Sequence, residues 1–110
     1  MDFQKWNYID FKTYLLLYCS LLNNIQNKRD RTLIANSVGK NYLNKHIKQI
    51  QFDTGITSRG KINNYIKKNE ISEETITSLM IEVKVLLTTQ GLFDREQKRF
   101  YQSLQKKYFN

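Results

Sequence analysis

The chain has 110 residues, 40% hydrophobic and 13% aromatic, which is enough for one folded core and unlike a disordered tail. Lys and Arg outnumber Asp and Glu by 18 to 10, and the net charge of +8 favours an acidic partner. A single cysteine excludes an internal disulfide, and the longest apolar run, at 14–19, is far too short for a membrane span. We therefore predict one soluble, cytoplasmic domain without membrane insertion.

The predicted elements are all helices, and the first is expected at the centre of the fold. It runs from about residue 10 to 22, and its apolar stripe widens until nearly every face is hydrophobic. Asp10 is the predicted N-cap, because its carboxylate can accept from the free N–H groups of the first turn. Trp6 and Tyr8 are predicted to pack as a flap over the start of this helix.

Two further helices are predicted in the Lys-rich middle of the chain. Asn27 is expected to cap a helix at about 28–38, and Gly39 to end it. The next helix, at about 41–52, has His46 on its inward stripe.

The second half of the chain contains the clearest helix-start signals. A short fourth helix is predicted with Thr57 or Ser58 as its cap, and a fifth helix begins at Ser72, followed by two glutamates that suit the helix dipole. Asp94 and Gln97 form a capping box for a sixth helix. The core face of the fifth helix is predicted to consist of Ile76, Leu79, Met80, Val83, Leu86 and Leu87.

Two stretches of the chain share one layout, which predicts an internal pseudo-repeat. They read LLLYCSLLNNIQNKRDRTLI at 15–34 and LMIEVKVLLTTQGLFDREQKRFY at 79–101. Each has an apolar helix, a polar turn, a buried aliphatic residue, a cap, and an acid or amide three places on. This layout resembles the TerB-like tellurite-resistance family of small all-helical bacterial domains. The resemblance implies an all-α bundle of about six helices over residues 1–110, with two helix-turn-helix hairpins and a role near stress or tellurite resistance.

The resemblance also implies a site at the two turns. The family carries carboxylates there that suit a hard cation such as Ca²⁺. The matching residues are Asn23 with Asp30 and Gln90 with Gln97, so three of the four are amides, which add no charge to offset dehydration of an ion. We therefore expect a degenerate turn site without a metal or cofactor, whose residues cap helices and close turns.

A basic face on the third and fourth helices keeps nucleic-acid binding open as an alternative function. Phosphate contacts need only such a surface, whereas an ordinary solvated face is the competing interpretation. The residues predicted to point outward are Lys40, Lys45, Lys48, Arg59, Lys61, Lys67 and Lys68.

Catalysis is not indicated by the residue inventory. A Cys–His pair would have to join Cys19 and His46, yet Cys19 lies in the most hydrophobic helix, where a thiol is a core residue with a raised pKa. No zinc-ligand set and no phosphate-binding glycine motif occurs in the sequence, and no small-molecule substrate is indicated.

The leading prediction is a non-enzymatic protein-interaction module. Seven Tyr and six Phe are many for one small core, and aromatic residues occur at both chain ends. An exposed aromatic patch would mark a protein partner or a homodimer. The residues expected to form it are Phe3, Trp6, Tyr108 and Phe109.

Overall fold

The computed structural model describes residues 5–22, 28–88 and 95–109, and these residues form six α-helices and no strand. The predicted all-α fold is confirmed. The radius of gyration is 13.0 Å, close to the ~13 Å expected for a compact domain of this length. None of the described helices combines the length and apolar character needed to cross a membrane. The helices are α1 (Tyr8–Leu22), α2 (Lys28–Val38), α3 (Lys40–Phe52), α4 (Gly55–Lys68), α5 (Glu73–Leu87) and α6 (Arg95–Phe109).

Helix α1 lies at the centre, as predicted, and packs against α2, α3, α4 and α5. Phe11, Leu15 and Cys19 are completely buried, and so is the polar Thr13. The Thr13 hydroxyl donates to the carbonyl of Ile9 at 2.7 Å, so this polar group enters the core with a partner. A helix that is buried on nearly every face can only be accommodated in the middle of a bundle.

The start of α1 differs from the prediction, because Asn7 and not Asp10 is the N-cap. Asn7 Oδ1 accepts from the Asp10 backbone N–H at 2.8 Å, and Asp10 Oδ2 accepts from the Asn7 backbone N–H at 3.0 Å. This reciprocal pair is a capping box with Asp10 at the third helical position. The sequence interpretation chose the charged residue, although Asn is an equally good cap.

Trp6 lies under the protein surface, which confirms its part in the flap and removes Trp6 from the predicted exposed aromatic patch, whereas Tyr8 is the partly buried first residue of α1. Its ring is buried, 4.9 Å from the Tyr14 ring and 5.6 Å from the His46 ring between centroids. The other members of that patch, Phe3, Tyr108 and Phe109, lie outside the described side chains.

Gly39 is the single residue between α2 and α3, and the prediction that it ends α2 is confirmed. Its φ of 91° is in the region that glycine adopts without steric cost. The Gly39 N–H donates to the carbonyl of Ala35, and its own carbonyl accepts from Leu43 N. One residue therefore closes one helix and opens the next.

Helix α4 begins earlier than predicted, with Thr54 as its N-cap. The Thr54 hydroxyl accepts from Thr57 N at 3.1 Å, so Thr57 is inside the first turn. Ser58 is buried and bonds Tyr14, so neither of the two predicted caps has that role.

The fifth helix is the element that the sequence predicts best. Ser72 Oγ accepts from Thr75 N at 3.2 Å, which confirms the cap, and all six predicted core residues are buried. In α6, Leu104 is buried and the Phe100 ring lies 5.2 Å from the Tyr18 ring. Asp94, Asn27 and the side chain of Gln97 lie outside the described residues, so their predicted capping roles stay predictions.

Candidate functional site

An apolar groove runs between α2 and α5, and we call it the α2–α5 groove. Both helices pack on α1, and a cavity of about 130 Å³ remains between them with Leu16 of α1 among its lining residues. Such a volume resembles the ~150 Å³ cavity that accepts a benzene ring and is below the ~300 Å³ at which small-molecule pockets begin. It suits one apolar side chain. Its lining residues are Leu16, Leu33, Ile34, Ile81, Glu82, Val85 and Leu86.

Two exposed aliphatic side chains stand beside this cavity. Ile81 is 60% exposed and Val85 is 49% exposed, although both lie on a helix whose opposite face is core. They are four residues apart and therefore share one face of α5. Large hydrophobic side chains that flank a cavity in this way are typical of a binding surface.

Polar contacts bridge α2 and α5 beside the groove. The Arg29 guanidinium of α2 donates to the carbonyls of Val85 and Thr88 at 2.9 Å, which closes the C-terminal end of α5. Farther along α2, the Ser37 hydroxyl donates to Glu82, whose carboxylate also pairs with Lys12 at 2.6 Å. The walls are therefore held by polar contacts while the space between them stays apolar.

The groove widens into a basic depression beside α6. This depression has a volume of about 590 Å³ and shares Ile81 and Val85 with the smaller cavity. Lys84 lines it, with its Nζ 5.9 Å from the centre of the Tyr101 ring. The apolar cavity thus opens into a depression that is lined by basic and aromatic side chains.

The predicted turn site is described at one of its four residues. Asp30 is completely buried, where its Oδ2 accepts from Ser20 Oγ at 2.9 Å and its Oδ1 from Arg29 at 2.9 Å. Its carboxylate thus ties α2 to α1 and orients the arginine that reaches α5. Asn23, Gln90 and the side chain of Gln97 lie outside the described residues, so the grouping of the four stays a prediction.

The predicted basic face contains both exposed cations and cations that are paired with carboxylates. Lys45 is exposed but pairs with Asp10 at 2.8 Å. Lys61 was predicted to point outward, and this is wrong, because its side chain is 12% exposed and pairs with Asp53 at 2.8 Å. The helical period places Lys61 near the surface, but the inward-turned Asp53 draws its ammonium group under the α3–α4 junction. The exposed members are Lys40, Lys48, Arg59, Lys67 and Lys68.

A buried carboxylate–imidazole pair joins α1 to α3. His46 Nε2 lies 2.7 Å from Asp10 Oδ1, and both side chains are buried, as was predicted for His46. Burial lowers the pKa of His46, although the hydrogen bond to Asp10 opposes this. Burial alone would raise the pKa of Asp10, but hydrogen bonds from Lys45, His46 and the Asn7 N–H hold it below its ordinary value.

A second polar cluster joins α1 to the α3–α4 junction. The buried Tyr14 hydroxyl donates to Asp53 and lies 3.0 Å from Ser58 Oγ, which can donate to it. Burial and the hydrogen bond to Asp53 raise the pKa of Tyr14. Burial opposes ionisation of Asp53, but the hydrogen bonds from Lys61 and Tyr14 lower its pKa overall.

These buried groups suit a structural role better than a catalytic one. The imidazole of His46 is paired with Asp10. The Cys19 thiol is completely buried, and burial raises its pKa, which disfavours the reactive thiolate. Among the described residues, no three Cys, His, Asp or Glu side chains gather as metal ligands would.

Comparison with known proteins finds no match to a family model, to a curated protein or to a solved structure. The geometry of the described residues is therefore the basis for a functional proposal.

The α2–α5 groove itself was missed at the sequence level, although a signal for it was present. Ile81 and Val85 are apolar and four residues apart, and they lie outside the core stripe of α5. A second apolar stripe on an already amphipathic helix indicates either another packed helix or a binding surface. The sequence interpretation counted only the stripe that fills the core.

Proposed function

We propose that this chain is a non-enzymatic protein-interaction module that binds an acidic, amphipathic segment of another protein in the α2–α5 groove. The observation that carries the proposal is the exposure of Ile81 and Val85 beside a cavity of about 130 Å³. Burying such side chains against a partner contributes about 25 cal/mol per Å² of apolar surface. The groove between two helices suits a helical segment that inserts one apolar anchor.

The charge around the groove favours an acidic partner. Lys84 lines the wider depression, together with Arg29, which pairs with Asp30 but keeps 41% of its side chain exposed. The acidic Glu82 is occupied by Lys12 and Ser37. Acidic residues flanking the anchor would meet these cations and speed association. A second copy of this chain would bring another net charge of +8 to the same surface, so we favour a different protein over a homodimer.

The absence of catalysis is part of the proposal, and its support is the burial of the groups that could react. Cys19 and His46 are completely buried, and the Tyr14 hydroxyl is engaged by Asp53. A nucleophile or general base has to reach the substrate within hydrogen-bond distance. We also place the module in the cytoplasm; membership of the TerB-like family and a role in tellurite resistance remain predictions from the sequence pattern.

The groove can be tested with two synthetic helical peptides of equal length. One carries Leu anchors at i, i+4 and i+7 with Glu elsewhere, and the other replaces every Glu by Lys. We expect saturable binding of the acidic peptide with a Kd below ~1 mM, which corresponds to ~4 kcal/mol. Amide chemical-shift changes in two-dimensional NMR spectra should centre on Leu33, Ile81 and Val85.

A pair of matched double variants makes this test specific. Ile81→Ser with Val85→Ser should abolish binding, whereas Phe52→Ser with Ile56→Ser removes apolar groups elsewhere that are even more exposed and should leave binding unchanged. Equal affinity for the acidic and basic peptides, or shifts centred away from the groove, would overturn the proposal. Self-association of the free protein through Ile81 would instead identify a second copy as the occupant.

A further inference from the structure

The α3–α4 junction carries the two most exposed large hydrophobic side chains among the described residues. Phe52 is 85% exposed at the end of α3, and Ile56 is 78% exposed in the first turn of α4. They stand on either side of the short link formed by Asp53 and Thr54, and we call this junction the α3–α4 tip. Unlike Ile81 and Val85, they project from a helix junction and line neither the cavity nor the depression of the α2–α5 groove.

The charge on this tip is positive on its outer side. Asp53 is the one acidic residue between positions 40 and 69, and that segment holds seven Lys and Arg. The Asp53 carboxylate is turned inward, where it accepts from the Tyr14 hydroxyl and from Lys61 Nζ. The fold thus hides the acid of this segment and leaves its exposed charges basic.

Two of the exposed basic residues stand next to the apolar pair. Lys48 lies one helical turn before Phe52 on α3, and Arg59 lies three residues after Ile56 on α4, so each shares a helix face with its apolar neighbour. The Arg59 guanidinium is held in place by the Tyr18 hydroxyl at 3.2 Å. Apolar tips flanked by cations match the layered chemistry of a bilayer surface, which places phosphates outside acyl chains.

We propose that the α3–α4 junction docks on an anionic lipid bilayer. Phe52 and Ile56 enter the boundary between headgroups and acyl chains, while Lys48 and Arg59 contact lipid phosphates. The protein lies on the membrane and does not span it, which agrees with the lack of a spanning helix among the described residues. Apolar insertion and basic attraction act together, since one weak signal alone does not anchor a protein.

The apolar pair favours a lipid surface over a nucleic acid. A duplex offers phosphates to Lys48 and Arg59, but its backbone gives the aliphatic Ile56 no apolar medium in which to leave water. A bilayer offers phosphates to the two cations and an apolar interior to the two hydrophobic side chains. The exposure of Ile56 is therefore the observation that separates these two polyanions.

Vesicle co-sedimentation tests the proposal. We expect the full chain to sediment with phosphatidylcholine vesicles that contain 30% phosphatidylserine and to remain in solution with pure phosphatidylcholine. Phe52→Ser with Ile56→Ser should weaken the vesicle affinity at least tenfold, while Ile81→Ser with Val85→Ser should leave it unchanged. Because Phe52 and Ile56 are exposed, the melting temperature of the first double variant should stay near that of the wild type.

A fluorescent variant reports the depth of contact. In Phe52→Trp, the emission in excess of that of the wild-type chain, which already contains the buried Trp6, should shift to the blue when phosphatidylserine vesicles are added and should not shift with a 20-base-pair DNA duplex. Sedimentation without a blue shift, or vesicle binding that survives Phe52→Ser with Ile56→Ser, would overturn the proposal and leave a purely electrostatic contact. Preferential binding to the duplex over the vesicles at equal charge concentration would assign the basic tip to nucleic acid instead.

Discussion

The two sides of α1 differ in how polar and apolar side chains are packed against the neighbouring helices. Toward α3 and α4, its polar side chains Asp10 and Tyr14 are buried and joined to His46 and Asp53. Toward α2 and α5, one buried contact, Ser20–Asp30, joins α1 to α2, and the bridges by Arg29 and the Ser37–Glu82 pair border an apolar cavity. We refer to these as the polar side and the groove side.

The difference separates structural residues from available ones. On the polar side, each partner satisfies a group that would be costly to leave alone in the core, so removing one destabilises the fold. On the groove side, the outermost apolar side chains contact water, so their loss costs the folded state little. Variants on the two sides should therefore differ in what they cost the folded state.

The largest expected effect comes from Asp10→Ala on the polar side. This change removes the acceptor for His46 Nε2, Lys45 Nζ and the Asn7 N–H, and it leaves the imidazole buried without its partner. Leaving a buried polar group without its partner costs about 1–3 kcal/mol, and because three contacts are lost we expect about 3 kcal/mol here. Urea unfolding followed by circular dichroism measures this loss of stability.

Lys45→Ala is the control, because it removes a half-exposed partner of Asp10, and it should cost less than about 1 kcal/mol. Equal losses in the two variants would contradict the buried role of Asp10.

Acidification should weaken the polar side in two stages. The pKa of His46 is lowered below 6.5, and the pKa values of Asp10 and Asp53 are lowered below 3.8. In each window between the folded and unfolded pKa values, the unfolded state binds more protons, so stability falls as the pH falls. The melting temperature should decline from about pH 6.5 downward and more steeply below about pH 4.

One variant separates the two stages, because His46 is the one histidine of the chain. His46→Gln should remove the decline that begins near pH 6.5 and retain the steeper acid limb. A melting temperature that still declines from pH 6.5 in this variant would show that the upper stage has another origin.

A moderate effect is expected from Tyr14→Phe. The variant keeps the buried ring but loses the hydroxyl that contacts Asp53 and Ser58. Lys61 and Gln49 still donate to Asp53, so we expect a loss of about 1 kcal/mol, as for an ordinary hydrogen bond. Chemical denaturation measures the loss, and a value above about 3 kcal/mol would mean that Asp53 depends on Tyr14 more than on Lys61.

A matched pair of valines on α5 gives the most direct comparison between core and groove. Val83 is completely buried and Val85 is 49% exposed, and truncation to Ala removes the same two methyl groups from each. We expect Val83→Ala to cost about 2 kcal/mol and Val85→Ala less than about 0.5 kcal/mol. Thermal and urea unfolding measure both. Equal losses would show that Val85 belongs to the core and would remove it from the binding surface.

The helices could be predicted where their signals are local. The start of α5 at Ser72, the end of α2 at Gly39 and the buried face of α5 all follow from residues within a few positions of one another. The starts of α1 and α4 were misplaced because several polar residues competed for each cap. Asn7 and Thr54 took those roles, and their competitors Asp10 and Ser58 entered the core.

The candidate sites were less predictable, because their residues meet across the fold. Lys61 was predicted to point outward, and the folded chain brings it to Asp53 beneath the surface, beside Tyr14. Ile81 and Val85 looked like ordinary members of an apolar helix. Their exposure depends on how far apart α2 and α5 stand, and helical periodicity in one segment contains no information about that spacing.

Composition and helical periodicity by themselves determined that this protein is a basic, all-α domain with α1 at its centre. They do so because helix formation and burial of a stripe depend on neighbours three and four positions apart. Tertiary structure alone decided which charges are hidden, where the α2–α5 groove opens and which apolar side chains remain in water. Those outcomes depend on partners as distant in the chain as Arg29 and Val85, whose meeting is set by the packing of whole helices against α1.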